Sequence, residues 1–254
     1  MPAVDYAAAL IEQNQQLGEL TRAADLQTPV PSCPDWVLRQ LVAHVGRGHR
    51  WSATIVRERS EGPVDPRTVA DGKPPADPDE AVDWLRDSAG TVIDAVDRVG
   101  ADVPVWTFLG PRPAAWWIRR RLHEETVHRA DAALALGVPY ELAPELAADG
   151  VSEWLDIVAA RAVPGPESPL DAGRTLHLHA HDDDGLGAAG EWLIRSGPDG
   201  LSWEHGHGKG DAAVRGSAVD LLLGILRRDL TKGGELEVLG DGTVWTGWLA
   251  RTPF

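Results

Sequence analysis

Cysteine is nearly absent from this chain: Cys33 is the single one in 254 residues. One thiol excludes an intramolecular disulfide and any cysteine-rich zinc cluster, so a bound metal would have to be held by histidines and carboxylates. Basic residues are also scarce. Lys and Arg total 24 against 39 Asp and Glu, a formal charge of −15, which argues against binding nucleic acid through its phosphates. Phe and Tyr number two each beside 11 Trp, so indoles are expected to fill much of the aromatic core. No run approaches the roughly 18 uncharged apolar residues that a membrane span requires. The opening MPAVDYAAALIEQNQQL has neither a basic start nor an unbroken apolar stretch, so it does not read as a secretion signal, and the expected location is cytoplasmic.

What is there is enough apolar material for a proper core, 43% of residues, arranged in two styles. The first half reads as helical. Residues 4–24 carry Ala, Leu and Ile at helical spacing, and TPVPSCPDW then interrupts. A second helix is predicted from Pro34 and Asp35 to about Arg59, with Val37, Leu41, Val45, Gly48, Ser52 and Ile55 along one stripe. Residues 60–78, rich in proline, read as a surface loop. Further helices are predicted over 79–99 and 113–136, the latter closed by Gly137 and Pro139. Four amphipathic helices with one long connection make a four-helix bundle.

Another helix fits 144–162 and leads into the proline-rich RAVPGPESPLDAG, where the domain boundary is placed: 1–163 helical, 164–254 a small α+β domain. In the second domain RTLHLHAHD alternates, EWLIRS and LSWEHG pair around the turn GPDG, and AAVRG is a short strand. AVDLLLGILRRDL reads as a helix. GELEVLGDGTVWTGWL reads as a return to strand around a Gly-Asp-Gly turn.

The residues with metal chemistry lie in the helical half. His44 shares the stripe of Leu41, Val45 and Gly48 and faces the bundle interior, which suits a satisfied core histidine as well as a ligand. His49, about 140° further round the helix, is not a natural partner. Glu124 and His128 stand at i and i+4, about 40° apart in projection, and can reach one point. Glu125 with His128 is a weaker pairing of the same kind. The alternative for this stretch is a solvated stripe with ion pairs, since Arg121 and Asp131 share that side. His123 and His128 are five apart and diverge, so the segment is not the His-Glu-x-x-His metalloprotease motif. One inward His together with the Glu/His pair makes a three-ligand His₂Glu set, a composition common in catalytic zinc sites that leave a position open. In the second half His177, His179 and His181 alternate along a strand near Asp182, Asp183 and Asp184, a rival metal site beside a structural role. His205 and His207 read as a strand end and turn. Cys33, Trp36 and Trp51 read as structural, the tryptophans with some chance of lining a pocket.

The stretches VPSCPDWVLRQLVAHVGRGHRW and RRLHEETVHRADAALALG resemble the mycothiol-dependent maleylpyruvate isomerase family, as do TLHLHAHDDDGLGAAGEWLI and VRGSAVDLLLGILRR further on. The resemblance implies a DinB-like four-helix bundle followed by an α+β C-terminal domain. It implies one catalytic divalent metal, zinc, with His44, Glu124 and His128 as ligands. The implied partners are a low-molecular-weight thiol, mycothiol in the best-known members, and a small electrophile. The thiol would bind the metal as thiolate and attack the electrophile, giving isomerisation by addition and elimination, or a stable adduct in transferase relatives. An ordinary thiol, with a pKa of about 8.5, is only a few per cent ionised near neutrality, which is why a metal and a thiol belong together. The resemblance further implies an anion-binding arginine in the C-terminal domain. Arg215, Arg227 and Arg228 are the candidates, and Arg227 is the choice. A metal-dependent hydrolase or isomerase without thiol, and a non-catalytic binding module, are the competing readings of the same residues.

Overall fold

The computed structural model describes residues 4–181, 185–228 and 236–253. The chain divides into two compact units, one from Asp5 to Tyr140 and the other from Glu141 onward.

The first unit is helical. Helix α1 (Tyr6–Arg22) starts where the Asp5 carboxylate accepts from the amide of Ala8 at 3.1 Å, satisfying one of the orphan donors of a helix start. Helix α2 (Leu38–Arg57) begins four residues later than Pro34 would have it. Asp35 has φ 71° and Val30 pairs with Trp36, so the proline segment closes a turn, and the Gln40 side chain caps Val37 instead. The stretch predicted as one helix over 79–99 is two, α3 (Pro78–Arg86) and α4 (Ser88–Val99), separated by Asp87 alone. Asp87 stays in the right-handed helical region, and its amide bonds to the Asp83 carbonyl at 3.0 Å. A short hairpin, β1 (Pro104–Val105) with β2 (Arg112–Pro113), precedes helix α5 (Trp116–Leu136). Gly137 ends α5 in the left-handed conformation at φ 65°. Helix α1 packs on α5 and α3, and α2 packs on α3, α4 and α5. Leu17, Leu38, Leu41, Val45, Trp84 and Leu85 are among the buried residues that join them. Gly46 on α2 lies where a Cβ would enter the Trp84 ring, so the close α2–α3 approach depends on glycine.

The second unit opens with helix α6 (Pro144–Arg161). The sequence placed α6 with the helical domain, ahead of a boundary at 163. In the structure its packing partners are the C-terminal helix α7 and strand β5, and the Trp192 indole donates to the Ser152 hydroxyl at 2.9 Å. The remaining elements are β3 (Thr175–Ala180), β4 (Glu191–Gly197), β5 (Gly200–His205), β6 (Ala212–Gly216), α7 (Ala218–Ile225), β7 (Glu237–Gly240) and α8 (Gly242–Arg251). The sheet order is β5-β4-β3-β6-β7, antiparallel except where β3 runs parallel to β6. Alternation along the strands buries Leu176, Leu178, Trp192, Ile194 and Val214. Residues 242–251, expected as strand, form helix α8. Asp241 accepts from the amide of Thr243, making the Gly-Asp-Gly turn a helix start, and Val244, Trp245 and Trp248 then bury one helical face. No helix among the described residues is long and apolar enough to cross a membrane.

Candidate metal centre

Helices α2 and α5 bring His44, Glu124 and His128 together. One ligand atom from each lies within 4.8 Å of the others. His44 Nε2 is 2.9 Å from Glu124 Oε1, and the His44 and His128 rings meet edge-on with centroids 4.9 Å apart. The packing of α2 on α5 produces this, because neither helix carries all three residues. Glu125, the alternative partner for His128, points elsewhere. Its carboxyl accepts from Asn14 at 2.9 Å and lies 3.4 Å from His49, in a fully buried cluster that also ties His49 Nδ1 to Ser88. Burial pushes Glu125 up to about 8 and holds His49 well below its ordinary value.

The surroundings of the three residues differ from a solvated stripe. Asp131 is completely buried. It receives the Ser32 hydroxyl at 2.6 Å, lies 2.9 Å from His128 Nδ1 and lies 3.5 Å from the Cys33 sulfur. A carboxylate on one imidazole nitrogen fixes the ring and its tautomer, leaving Nε2 with the lone pair. Arg120 and Arg121, also buried, pair with the other oxygen of Glu124, Arg120 at 3.2 Å. Gly48 makes room for the Arg121 guanidinium, because a Cβ there would overlap it. Desolvation, followed by the charges of Arg121, Arg47 and Arg120, lowers His44 from 6.5 to about 4. His44 is therefore neutral at physiological pH, the state that can ligate a cation. Its side chain keeps 40% of its surface exposed, so the cluster has an open edge. Trp36 closes another side, its ring 5.0 Å from His44 and 6.1 Å from His128.

The donor set fits a borderline divalent cation: two neutral imidazoles and a carboxylate, with outer groups already in place. Cys33, His128 and Asp131 form a second convergent group that shares His128. In that group the Asp131 oxygen faces the Nδ1 side of His128, which favours the role of orienting carboxylate. Sequence reasoning named Arg121 and Asp131 only under the alternative of a solvated stripe and gave neither a part in the cluster. The spacing of His128 and Asp131, i and i+3 in a stretch with Ala130, Ala132 and Ala133, was the available signal.

Trp51 is half-buried and packs edge-on against Trp106 and Trp117. Arg227 is exposed just after α7, at φ 60°. Arg228 is buried and donates to the carbonyl of Leu226 at 2.9 Å. Arg215 on β6 lies 3.8 Å from Glu237. Of the histidine strand, His177 and His179 are neighbours, whereas His181 is exposed past the strand end. Asp182, Asp183 and Asp184 lie outside the described residues. His205 packs on Trp203 and Trp192.

The profile of the mycothiol maleylpyruvate isomerase N-terminal domain matches residues 7–133, and that of the MDMPI C-terminal domain matches residues 145–247. Among curated proteins the chain has no match. Two solved structures are similar to it. One is a mycothiol-dependent maleylpyruvate isomerase, with a TM-score of 0.59 at 16% identity and 93% of each chain covered. The other is a histidine-to-alanine mutant of such an isomerase, with a TM-score of 0.61 at 14% identity and 93% of each chain covered. At these identities the structural likeness establishes the fold.

Proposed function

Because the chain belongs to the mycothiol maleylpyruvate isomerase family, whose N-terminal and C-terminal profiles it matches in order, we propose that it is a metal-dependent enzyme using a mycothiol-like thiol. It would act on a small electrophile as an isomerase or thiol S-transferase. The observation that carries this reading is the convergence of His44, Glu124 and His128 to within 4.8 Å. These three residues would hold the metal, proposed to be zinc, which when bound would act as a Lewis acid and keep a coordinated thiol ionised near neutrality.

The chain's own residues supply the rest. With Nδ1 engaged by Asp131, His128 would offer Nε2 as its ligand atom. Arg120 and Arg121 offset the charges of Glu124 and Asp131, and Arg47 adds a further cation near His44, which favours an anionic thiol and an acidic substrate. Trp36 walls the cluster and limits water around it. Arg227 is the arginine proposed to bind a substrate carboxylate through its planar fork. The chemistry proposed is addition of the thiol sulfur to an activated double bond. Rotation and elimination would then return the thiol in an isomerase; in a transferase the neighbouring carbon would instead take up the proton given up by the thiol, and the carbon–sulfur bond would persist.

The test is elemental mass spectrometry on untagged wild-type protein beside His44→Ala and His128→Ala, with turnover of maleylpyruvate assayed with and without mycothiol. One equivalent of zinc lost in both variants, together with thiol-dependent turnover by the wild type, is the expected result. Turnover that persists in His128→Ala lacking that equivalent, or in the complete absence of thiol, would overturn the mechanism.

A further inference from the structure

The second unit carries a histidine–carboxylate cluster that the proposed reaction does not use. On the sheet face opposite the buried Leu176 and Leu178, β3 presents His177 and His179, and the antiparallel register sets His179 across from Glu191 at the start of β4. The segment after β5 then folds back over this face. Gly206 takes φ +138°, Gly208 sits where a Cβ would strike the Leu193 side chain, and a Cβ on Gly210 would press on the backbone and Cβ of His177. This close-packed glycine segment delivers His207. One oxygen of Glu191 ends 3.0 Å from His177 Nε2 and 2.8 Å from His207 Nδ1. The His179 ring lies 5.9 Å from that of His177 and 6.4 Å from that of His207.

We propose that His177, Glu191 and His207 form a second divalent-cation site, independent of His44, Glu124 and His128. Their ligand atoms all lie within 4.8 Å of one another. A tetrahedral ion with bonds of about 2.0–2.1 Å holds its donors roughly 3.3 Å apart. The two contacts to Glu191 therefore need to open by only a few tenths of an ångström. Two imidazoles and one carboxylate select a borderline cation such as zinc, nickel or copper over magnesium or calcium. His177 is 5% exposed and Glu191 18%, so two donors are held by the sheet, while His207, 78% exposed, is the one that can adjust to an entering ion. The cation would fasten the 206–210 segment to β3 and β4.

The experiment uses untagged full-length protein stripped with a chelator, dialysed against zinc alone and analysed for bound metal. His207→Ala is the informative variant, because its exposed side chain is not needed for packing, and Glu191→Gln is the second. Relative to wild type, each loses one equivalent of zinc with an unchanged circular dichroism spectrum. The same loss separates His44→Ala from the double variant His44→Ala/His207→Ala. Zinc that falls to none in His207→Ala but persists in His44→Ala would support this site while overturning the N-terminal one. Equal zinc in wild type, His207→Ala and Glu191→Gln would overturn it.

Discussion

Asp131→Asn replaces the buried carboxylate behind His128 with an amide of the same shape. In the structure Asp131 sits 2.9 Å from His128 Nδ1 and takes the Ser32 hydroxyl on its other oxygen at 2.6 Å. Asparagine can keep the Ser32 bond through its carbonyl oxygen, which turns its NH₂ group toward His128. Nδ1 must then accept, so the ring proton moves to Nε2, the atom the proposed metal needs. The alternative flip preserves the tautomer but turns the NH₂ group toward Ser32, whose hydroxyl must then rotate to accept. Either way the variant loses the charge that raises the basicity of His128. Outer carboxylates of this kind are worth about 10–100-fold in metal affinity, or about 1.4–2.7 kcal/mol. Stability should fall less, by about 1 kcal/mol, because one hydrogen bond is weakened and no cavity opens. The assay is zinc competition against a chelating indicator at neutral pH, with urea unfolding of the metal-free protein as the control. Wild-type zinc affinity in Asp131→Asn, with one equivalent of zinc lost in His128→Ala, would refute the assignment of Asp131 as the orienting group.

Cys33→Ser separates the two convergent groups that share His128. Zinc stoichiometry is expected to be unchanged, and loss of the metal would place Cys33 in the coordination shell instead of Glu124. The buried Glu125 makes a pH prediction. A carboxyl whose folded pKa, about 8, lies above its ordinary 4.5 stabilises the fold while protonated, and that contribution is lost as pH rises through the folded value. His49 pulls the other way only below its ordinary 6.5, so the window from about 6.5 to 8 isolates Glu125. Over that range wild type should lose stability relative to Glu125→Gln in urea titrations. Parallel curves for the two proteins would show that Glu125 is ionised in the fold.

The parts of the structure that were legible in the sequence are those where one helix or strand carries the whole signal. His44 lay on the apolar stripe of α2, and Glu124 with His128 lay four apart on α5, so one local pattern nominated one member of the N-terminal cluster and a second nominated the other two. Helix α5 itself hid its surroundings. It is buried on several sides at once, with Arg120, Arg121, His123, Glu125 and Asp131 all inside, so its polar residues do not mark a solvent face and periodicity could not tell an ion-pair stripe from a buried network. The alternating strand His177–His179 was visible, but its partners were not. Glu191 reaches it only through the β3–β4 register, and His207 only through a glycine segment whose path depends on Leu193 and His177 filling the space beneath it. The pattern of the C-terminus misled for a related reason. Asp241 accepts from the amide of Thr243 and commits the following residues to a helix, whereas their mixture of Trp, Val and Thr scores as strand on propensity alone. Both clusters thus depend on pairings between elements, α2 with α5 and β3 with β4. The three-residue sets are for that reason the part of the chemistry that single substitutions, made one element at a time, can take apart.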